Sequence, residues 1–502
     1  MIKCIRYSLL VISAAVAVIG GVRGIFNITL IGVLLLFLHN VVFSFERIRR
    51  RIIFLFFNGT SFVFLICRPV IDMFRGDIWW QDFSSESVWF ALTALYLTLL
   101  FLFMGDLLAE RYIRYIRRSD EKKKTVPREH PLPPVSSLQR EARREQFLYC
   151  LRIVSLVMFY LSMLCFMMVE LEKLVFMAGR EYEEYYTSFQ TQMPAVIRAF
   201  DTMMKYFLCI FLATMPSKPM TFIPLCLYFL SAVPSLLIGI RNPIVLNAIF
   251  IFLYYFLRDV RENSKKWLGY GEKVFIILMA PAAVLFLGAY NYIREGSSVA
   301  VGGVIGLLLD FLRKQGVSFN VLCIAYDSMP KVRSFEAGNY TFGDFTDYFL
   351  HNDLVEGLLG LPDLGTGNNV VSATQGHSFS HAMSYAAMGD SYLEGHGYGS
   401  SFILETFFDF GWLGVVLGAL VFGFLTILLV RWFQKGWVAG TITLVSLTSL
   451  FFVPRASTTS WIVFIVTAQF LLAMIFSYVM AQLCVKSYTP LVSRSLRVKR
   501  LT

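Results

Sequence analysis

Apolar runs of about twenty residues recur along the chain from near residue 8 to residue 485. Each run has roughly the length that an α-helix needs to cross the hydrocarbon core of a bilayer. The alternation over about ten residues that is typical of membrane barrels does not appear in the sequence. With 57% hydrophobic and 16% charged residues, the chain lies outside the range of soluble domains. The sequence therefore predicts an all-α fold, a polytopic transmembrane helix bundle of about 12 spans.

Two stretches separate the groups of spans, and both are long and polar. The first is strongly basic with clustered prolines, and the second is loop-rich with apolar spacings that favour short amphipathic helices. We divide the chain into transmembrane helices 1–4 (1–108), a charged cytoplasmic loop that is partly disordered (109–147), helices 5–9 (148–290), a large extracytoplasmic loop (291–404), helices 10–12 (405–485) and a basic cytoplasmic tail (486–502).

The net charge of +11 comes from short basic segments between the spans. Successive spans place the segments between them on alternate sides of the membrane. This alternation puts the basic segments on one side: the amino terminus, the tail and residues 46–51, 109–147, 258–266 and 431–435. The positive-inside rule makes this side cytoplasmic, with both termini in the cytoplasm. This distribution indicates membrane orientation rather than nucleic-acid binding.

Three of the six histidines lie within twenty residues, just before the tenth predicted span. His377 and His381 are spaced i, i+4 and share a face if this stretch is helical. Either can serve as a general base near neutral pH, and a structural hydrogen-bonding role is the alternative for each. The same spacing can bind zinc, but no HEXXH motif or third ligand is evident, so we expect no metal.

A glycine-rich run, Gly395-His396-Gly397-Tyr398-Gly399-Ser400-Ser401, follows and leads to Glu405. Glycines let the backbone approach a ligand, although Ser400 or Ser401 could simply cap the tenth span. An unpaired carboxylate at the edge of hydrocarbon is costly, so we expect Glu405 to pair with an arginine or a substrate hydroxyl. Asp409 should lie one turn later on the same face.

Arginines stand at the predicted outer ends of spans, against the usual charge preference. Arg241 lies in GIRNP, Arg294 in NYIREG, and Arg455 follows the eleventh span. The planar guanidinium suits the oxygens of a diphosphate, whereas the alternative is an arginine that reaches to lipid head groups.

These motifs occur together in one known family. The chain resembles the Wzy-type O-antigen polysaccharide polymerases over about residues 200–480. The resemblance rests on GIRNP, the later REG and GYGSSFILETFFDFGWLG, which occur in a many-span bundle with one large late loop. The resemblance implies a membrane glycosyltransferase of the GT-C class in the bacterial cytoplasmic membrane. It would polymerise oligosaccharide repeat units carried on undecaprenyl diphosphate, at the outer face and without cofactor or metal.

The resemblance also implies that Arg241 and Arg294 are functional, and we expect them to bind the diphosphate. The chemistry of the residues themselves suggests His381, Glu405 or His377 for the acceptor hydroxyl, with His381 or Glu405 preferred. We expect Arg455, His396, Tyr398 and Ser400 to contact substrate. The partners would be the lipid-linked donor and acceptor, the bilayer, and a chain-length regulator and flippase, with no nucleic acid.

Two other functions fit the same pattern. A ligase-type transferase shares the donor and differs in its acceptor, and a flippase or transporter moves the same lipid-linked sugar. A transporter should show internal repeats and ionisable residues at mid-membrane depth, whereas here the polar residues collect at one rim. We therefore favour a polymerase, whose product could be O-antigen, capsule or exopolysaccharide.

Overall fold

The computed structural model describes residues 2–124, 135–180, 184–262, 267–295 and 303–498. Within these residues every regular element is a helix, which confirms the predicted all-α class. The first twelve helices are α1 (Ile2–Arg23), α2 (Phe26–Phe45), α3 (Ile48–Ser61), α4 (Cys67–Arg75), α5 (Ser85–Lys124), α6 (Val135–Met177), α7 (Glu184–Ser188), α8 (Ala195–Ala213), α9 (Lys218–Leu230), α10 (Val233–Leu237), α11 (Asn242–Arg261) and α12 (Tyr270–Glu295).

Seven short helices occupy the late polar stretch, as its apolar spacings predict. They are α13 (Gly303–Gln315), α14 (Ser318–Val332), α15 (Gly343–Leu350), α16 (Asp353–Leu359), α17 (Val370–Gln375), α18 (Phe379–Met388) and α19 (Asp390–Leu393). Three further helices complete the chain: α20 (Phe402–Trp432), α21 (Trp437–Leu447) and α22 (Ala468–Val498). A π-helical turn (Phe62–Ile66) joins α3 to α4, and 3-10 turns span Tyr340–Phe342, Leu450–Arg455 and Val463–Val466.

Ten helical stretches of the described residues are long and apolar enough to cross a membrane. They cover all the predicted spans except the sixth and the ninth, which fall in α8 and α12. The polytopic bundle is therefore confirmed, and the count of about 12 spans stays a prediction.

The charged stretch at 109–147 differs from its interpretation as a partly disordered loop. Helix α5 continues into it as far as Lys124, and α6 already begins at Val135. Lysine, arginine and glutamate are good helix formers, so spans can continue beyond the hydrocarbon without a break. The described residues of this stretch are therefore helical, and residues 125–134 lie outside the described part of the structure. The division of the chain at 109–147 stays a prediction.

Helix α20 packs along α5 with the two backbones in direct contact. A Cβ atom added to Gly423 would lie 2.0 Å from the carbonyl oxygen of Leu102, and one added to Gly105 would lie 2.1 Å from that of Leu420. Small residues let membrane helices approach this closely, and the resulting van der Waals contact holds them together. Near its start, α20 breaks at Gly411, whose φ of 60° favours glycine.

Polar contacts at one end of the bundle join segments that the charge pattern assigns to one side. Arg6 pairs with Glu46 at 2.8 Å, and Arg51 pairs with Glu110 at 2.9 Å. Arg261 donates to the carbonyl oxygen of Phe433 at 3.0 Å. We call this the basic end of the bundle.

The opposite end carries α13–α19, and we call it the loop end. There Arg313 pairs with Asp72 at 2.5 Å, and Ser84 donates to Asp327 at 2.8 Å. The predicted grouping of helix ends thus agrees with the contacts. Which end faces the cytoplasm stays a prediction.

We predict that Gly423→Ala lowers the unfolding temperature of the purified protein in detergent. The added methyl group would overlap Leu102, and overpacking of this kind costs about 1–3 kcal/mol. Gly21→Ala is the control, because a Cβ at Gly21 would meet nothing within 4 Å. Equal melting temperatures for the two variants would contradict the backbone contact.

Candidate functional site

Glu405 lies in the first turn of α20 and is fully buried. Its Oε1 accepts a hydrogen bond from Ser400 Oγ at 2.7 Å. Its Oε2 accepts from the backbone N–H of Thr458 at 2.7 Å and from Thr458 Oγ1 at 2.8 Å. These groups take the place of the expected arginine partner. Because both oxygens are engaged, Glu405 connects the glycine-rich run to the segment that follows Arg455.

Two further carboxylates extend this network. Asp409 accepts from the backbone N–H groups of Thr341, at 2.6 Å, and Tyr340, at 3.3 Å. The hydroxyl of Thr341 in turn donates to the carbonyl oxygen of Glu405 at 3.1 Å. The turn at Tyr340–Phe342 thus contacts the backbone of Glu405 and the side chain of Asp409. The expectation that the two carboxylates share a face of α20 stays a prediction.

Asp344, at the start of α15, holds the segment after Arg455 from the other side. Its Oδ2 accepts from Ser457 Oγ at 2.7 Å and from Thr459 Oγ1 at 2.9 Å. The segments 340–351, 376–401 and 455–460 are therefore joined by carboxylates. We call these three segments together the three-loop site.

The glycine-rich run lies against Arg455. A Cβ at Gly399 would be 3.2 Å from the carbonyl oxygen of Arg455 and 3.7 Å from its Cγ. The guanidinium carbon of Arg455 is 5.8 Å from the ring centroid of Phe64. The lack of a side chain at Gly399 thus permits the close approach of the two segments.

The other expected residues of this run have separate positions. Ser401 rather than Ser400 caps α20, since its side chain accepts from the backbone N–H of Ile403 at 3.3 Å. The backbone N–H of Tyr398 donates to Ser384 Oγ on α18 at 2.8 Å. His396 is exposed, so its imidazole is accessible from solvent.

His381, on α18, belongs to a short chain of hydrogen bonds. Its Nδ1 lies 2.7 Å from Tyr392 Oη, and Tyr392 Oη donates to the carbonyl oxygen of Asn369 at 3.3 Å. When the tyrosine proton is donated to Asn369, His381 Nδ1–H is the donor to Oη and Nε2 keeps a free lone pair. This tautomer is the one in which His381 can act as a base.

Burial controls the protonation of both partners. It lowers the pKa of His381 below its ordinary value, an effect that the negative charge of Asp347 opposes. It raises the pKa of Tyr392 to about 12. At pH 7 both side chains are therefore neutral, and His381 can accept a proton.

His377 has different partners. Helix α18 begins at Phe379, so His377 lies before the helix and the helical condition for a face shared with His381 is not met. Its Nδ1 lies 2.8 Å from Asp347 Oδ1, and its backbone N–H donates to the same oxygen at 3.0 Å. The ring of His351 is also close, with its centroid 6.0 Å from that of His377.

Arg241 and Arg294 belong to segments outside the three-loop site. Arg241 is half-buried and directly precedes α11. Flanking side chains, Leu236 and Ile244, pack in one cluster with Phe311 of α13. Helix α13 contacts the π-helical turn, which contacts the 3-10 turn that ends at Arg455. Arg294 lies in α12, and its side chain is outside the described part of the structure.

Sequence reasoning missed several residues of the three-loop site. Asp344, Asp347 and His351 of the α15 region and Tyr392 of α19 were not singled out. Asp347 and His351 are spaced i, i+4, which is the one local signal that could have drawn attention to them.

Comparison with known proteins gives one finding. A protein-family model described as O-antigen polysaccharide polymerase Wzy matches residues 2–488. No curated protein and no solved structure matches the chain. The match covers nearly the whole chain and extends beyond the 200–480 region that carries the recognisable motifs.

We predict that Glu405→Ala strongly destabilises the loop end. Each buried donor left without an acceptor costs about 1–3 kcal/mol, and Glu405 accepts from three donors. The measurement is the unfolding temperature of the purified protein. The control is Glu394→Ala, which removes an exposed carboxylate from the same region. A loss no larger than that of the control would contradict the connecting role of Glu405.

Proposed function

Because the chain belongs to the O-antigen polysaccharide polymerase Wzy family, we propose that its three-loop site carries out the family's reaction. Members of this family are multi-pass proteins of the inner membrane that polymerise lipid-linked oligosaccharide repeat units into polysaccharide. The observation that carries the proposal is the His381–Tyr392–Asn369 chain, which provides a neutral imidazole with a free Nε2.

The loop end faces the periplasmic side in this proposal, and both termini lie in the cytoplasm. The excess of lysine and arginine at the basic end supports this orientation, since positive residues are retained on the cytoplasmic side. The repeat units would then arrive at the loop end on undecaprenyl diphosphate. A chain-length regulator and a flippase remain proposed partners.

The donor is the growing chain, whose anomeric carbon is bonded to the oxygen of a lipid diphosphate. That carbon–oxygen bond breaks, and the diphosphate leaves with the electron pair. Arg241 and Arg294 are assigned to the diphosphate, because guanidinium groups stabilise the charge that develops on the leaving group. Arg455 is assigned to substrate contacts. A diphosphate carries its own activation, so this stabilisation supplies much of the catalysis.

The acceptor is a hydroxyl of the next lipid-linked unit. Its oxygen forms the new bond to the anomeric carbon, and its proton passes to His381 Nε2. Tyr392 does not touch the substrate in this scheme: it positions the imidazole by accepting from Nδ1. General-base catalysis of this kind contributes roughly 10²–10⁴-fold.

The remaining residues position the site or bind sugar. Glu405 and His377 are assigned to positioning, since their polar atoms are engaged with Ser400, Thr458 and Asp347. Tyr398, Ser400 and the exposed His396 belong to the run beside Arg455 and are assigned to sugar contacts.

We predict that the arginine and histidine variants block polymerisation in cells. In a strain deleted for this chain, Arg241→Ala, Arg294→Ala, Arg455→Ala and His381→Ala should each leave surface polysaccharide as single repeat units on a gel. Wild type should restore the ladder of chain lengths. Arg75→Ala is the matched control, because Arg75 is an exposed arginine at the end of a span.

Expression of each variant in the membrane must equal that of wild type. Full ladders from both Arg241→Ala and Arg294→Ala would remove the diphosphate assignment. Long chains left on lipid in the deletion strain would indicate a ligase instead.

We predict a characteristic pH profile for polymerisation by the purified enzyme. His381 acts only when neutral, so protonation at low pH removes the base. Since burial lowers the pKa of His381, the midpoint of the acidic fall in rate should lie below the ordinary histidine value of about 6.5.

Tyr392→Phe provides a second test of the same histidine. Without the phenol oxygen, Nδ1–H loses its acceptor, and the rate should fall by roughly tenfold or more while the protein remains folded. His381→Ala should lose the acidic limb of the profile together with most of its activity. An unchanged acidic limb in its residual activity would contradict the assignment of His381 as base.

A further inference from the structure

Three possible metal ligands converge beside the proposed base. Asp347, His351 and His377 each offer one ligand atom, and these atoms all lie within 4.8 Å of one another. Asp347 is in α15, His351 directly follows that helix, and His377 comes from the segment that enters α18. Two chain segments separated by about 30 residues thus bring the three side chains together.

The distances suit a transition-metal ion after a small adjustment. Zinc binds imidazole nitrogen and carboxylate oxygen at about 2.0–2.2 Å, so two ligand atoms on a tetrahedral ion lie roughly 3.3 Å apart. The observed limit of 4.8 Å therefore requires shifts of at most about 1.5 Å. The imidazole centroids of His351 and His377, 6.0 Å apart, are compatible with both rings binding one ion.

Hydrogen bonds around His351 prepare it for this role. Its Nδ1 lies 3.3 Å from the carbonyl oxygen of Pro362 and 3.5 Å from Glu356 Oε1. Both neighbours are acceptors, so Nδ1 carries the proton and Nε2 has the lone pair. Metal-binding histidines are commonly oriented in this way, with the second nitrogen donating to a carbonyl or a carboxylate.

The backbone under the cluster is also closely packed. A Cβ at Gly343 would lie 1.9 Å from the carbonyl oxygen of His377, so only glycine fits there. Asp347 Oδ1 already lies 2.8 Å from His377 Nδ1 and accepts the backbone N–H of His377. Bound metal would join two segments that are already in contact, which limits the reorganisation needed.

We propose that Asp347, His351 and His377 bind one divalent transition-metal ion, most suitably zinc, with water in the fourth position. Two imidazoles and one carboxylate suit zinc better than calcium or magnesium, because those two cations prefer oxygen ligands throughout. The ion fixes α15 to the start of α18 and so holds the helix that carries His381. It has no part in the chemical step, and the proposal does not rest on the proposed function.

The test measures zinc rather than polysaccharide. Full-length protein is purified in detergent, treated with a chelator and dialysed, and zinc chloride is then titrated against a fluorescent competitor. We expect one zinc per chain. His351→Ala and His377→Ala should each weaken binding by more than the roughly 10–100-fold that loss of an orienting partner costs. His396→Ala, which changes an exposed histidine of the same end, should bind as wild type does.

Thermal unfolding excludes simple misfolding of the variants. Zinc should raise the unfolding temperature of wild type and of His396→Ala, because it binds the folded state, but not that of His351→Ala or Asp347→Asn. Cobalt(II) bound to wild type should give the visible absorption of a tetrahedral site. The ligand variants should not give this absorption.

Wild type that binds no zinc, or His351→Ala that binds as tightly as wild type, would overturn the proposal. The cluster would then be only a hydrogen-bonded aspartate–histidine pair with a neighbouring ring. Because no step of the test uses a sugar substrate, its failure would leave the polymerase assignment untouched.

Discussion

A carboxylate that is fully buried at the start of an apolar helix must be hydrogen-bonded on both oxygens, and this requirement organises the loop end. Glu405 meets it through Ser400 and Thr458, and its backbone carbonyl receives Thr341. Each bond draws in a different segment of chain. The glycine-rich run, the segment after Arg455 and the turn before α15 therefore meet at a single residue, and the remaining contacts of the three-loop site are arranged around it.

Helix α20 has one part within the membrane and one part at the loop end, and different interactions stabilise the two parts. Within the membrane, backbone groups must be satisfied inside each helix, and association depends on close packing such as that at Gly423 and Gly105. At the loop end, irregular backbone is tolerated because carboxylates and hydroxyls satisfy it. The break at Gly411 separates the two parts of α20. The first turns contribute residues to the three-loop site, and the rest of the helix packs in the bundle. Reactive groups thus collect where the chain is free to leave helical geometry.

Sequence alone predicted much of this arrangement, because hydropathy reports the spans directly and a carboxylate at the membrane edge signals a constraint. Prediction from sequence failed where a local sequence pattern is compatible with two different structures. The basic stretch at 109–147 suits either a solvated loop or a helical extension, and the structure has helices to Lys124 and from Val135. The spacing of His377 and His381 suggested a shared helical face, but α18 begins only at Phe379. Asp344 and Asp347 could not be paired with Ser457 and His377 because these contacts span 113 and 30 residues of chain.

The most direct test of the central claim, that the three-loop site binds the lipid-linked substrate, is photoaffinity labelling. A repeat unit on a polyprenyl diphosphate, with a photoreactive group on the sugar next to the diphosphate, would be irradiated with the purified protein, and labelled peptides would be mapped by mass spectrometry. The account predicts labels within residues 376–401 and 455–460, competed by unlabelled substrate. Competed labels confined to the basic end of the bundle, at 46–51 or 431–435, would contradict it.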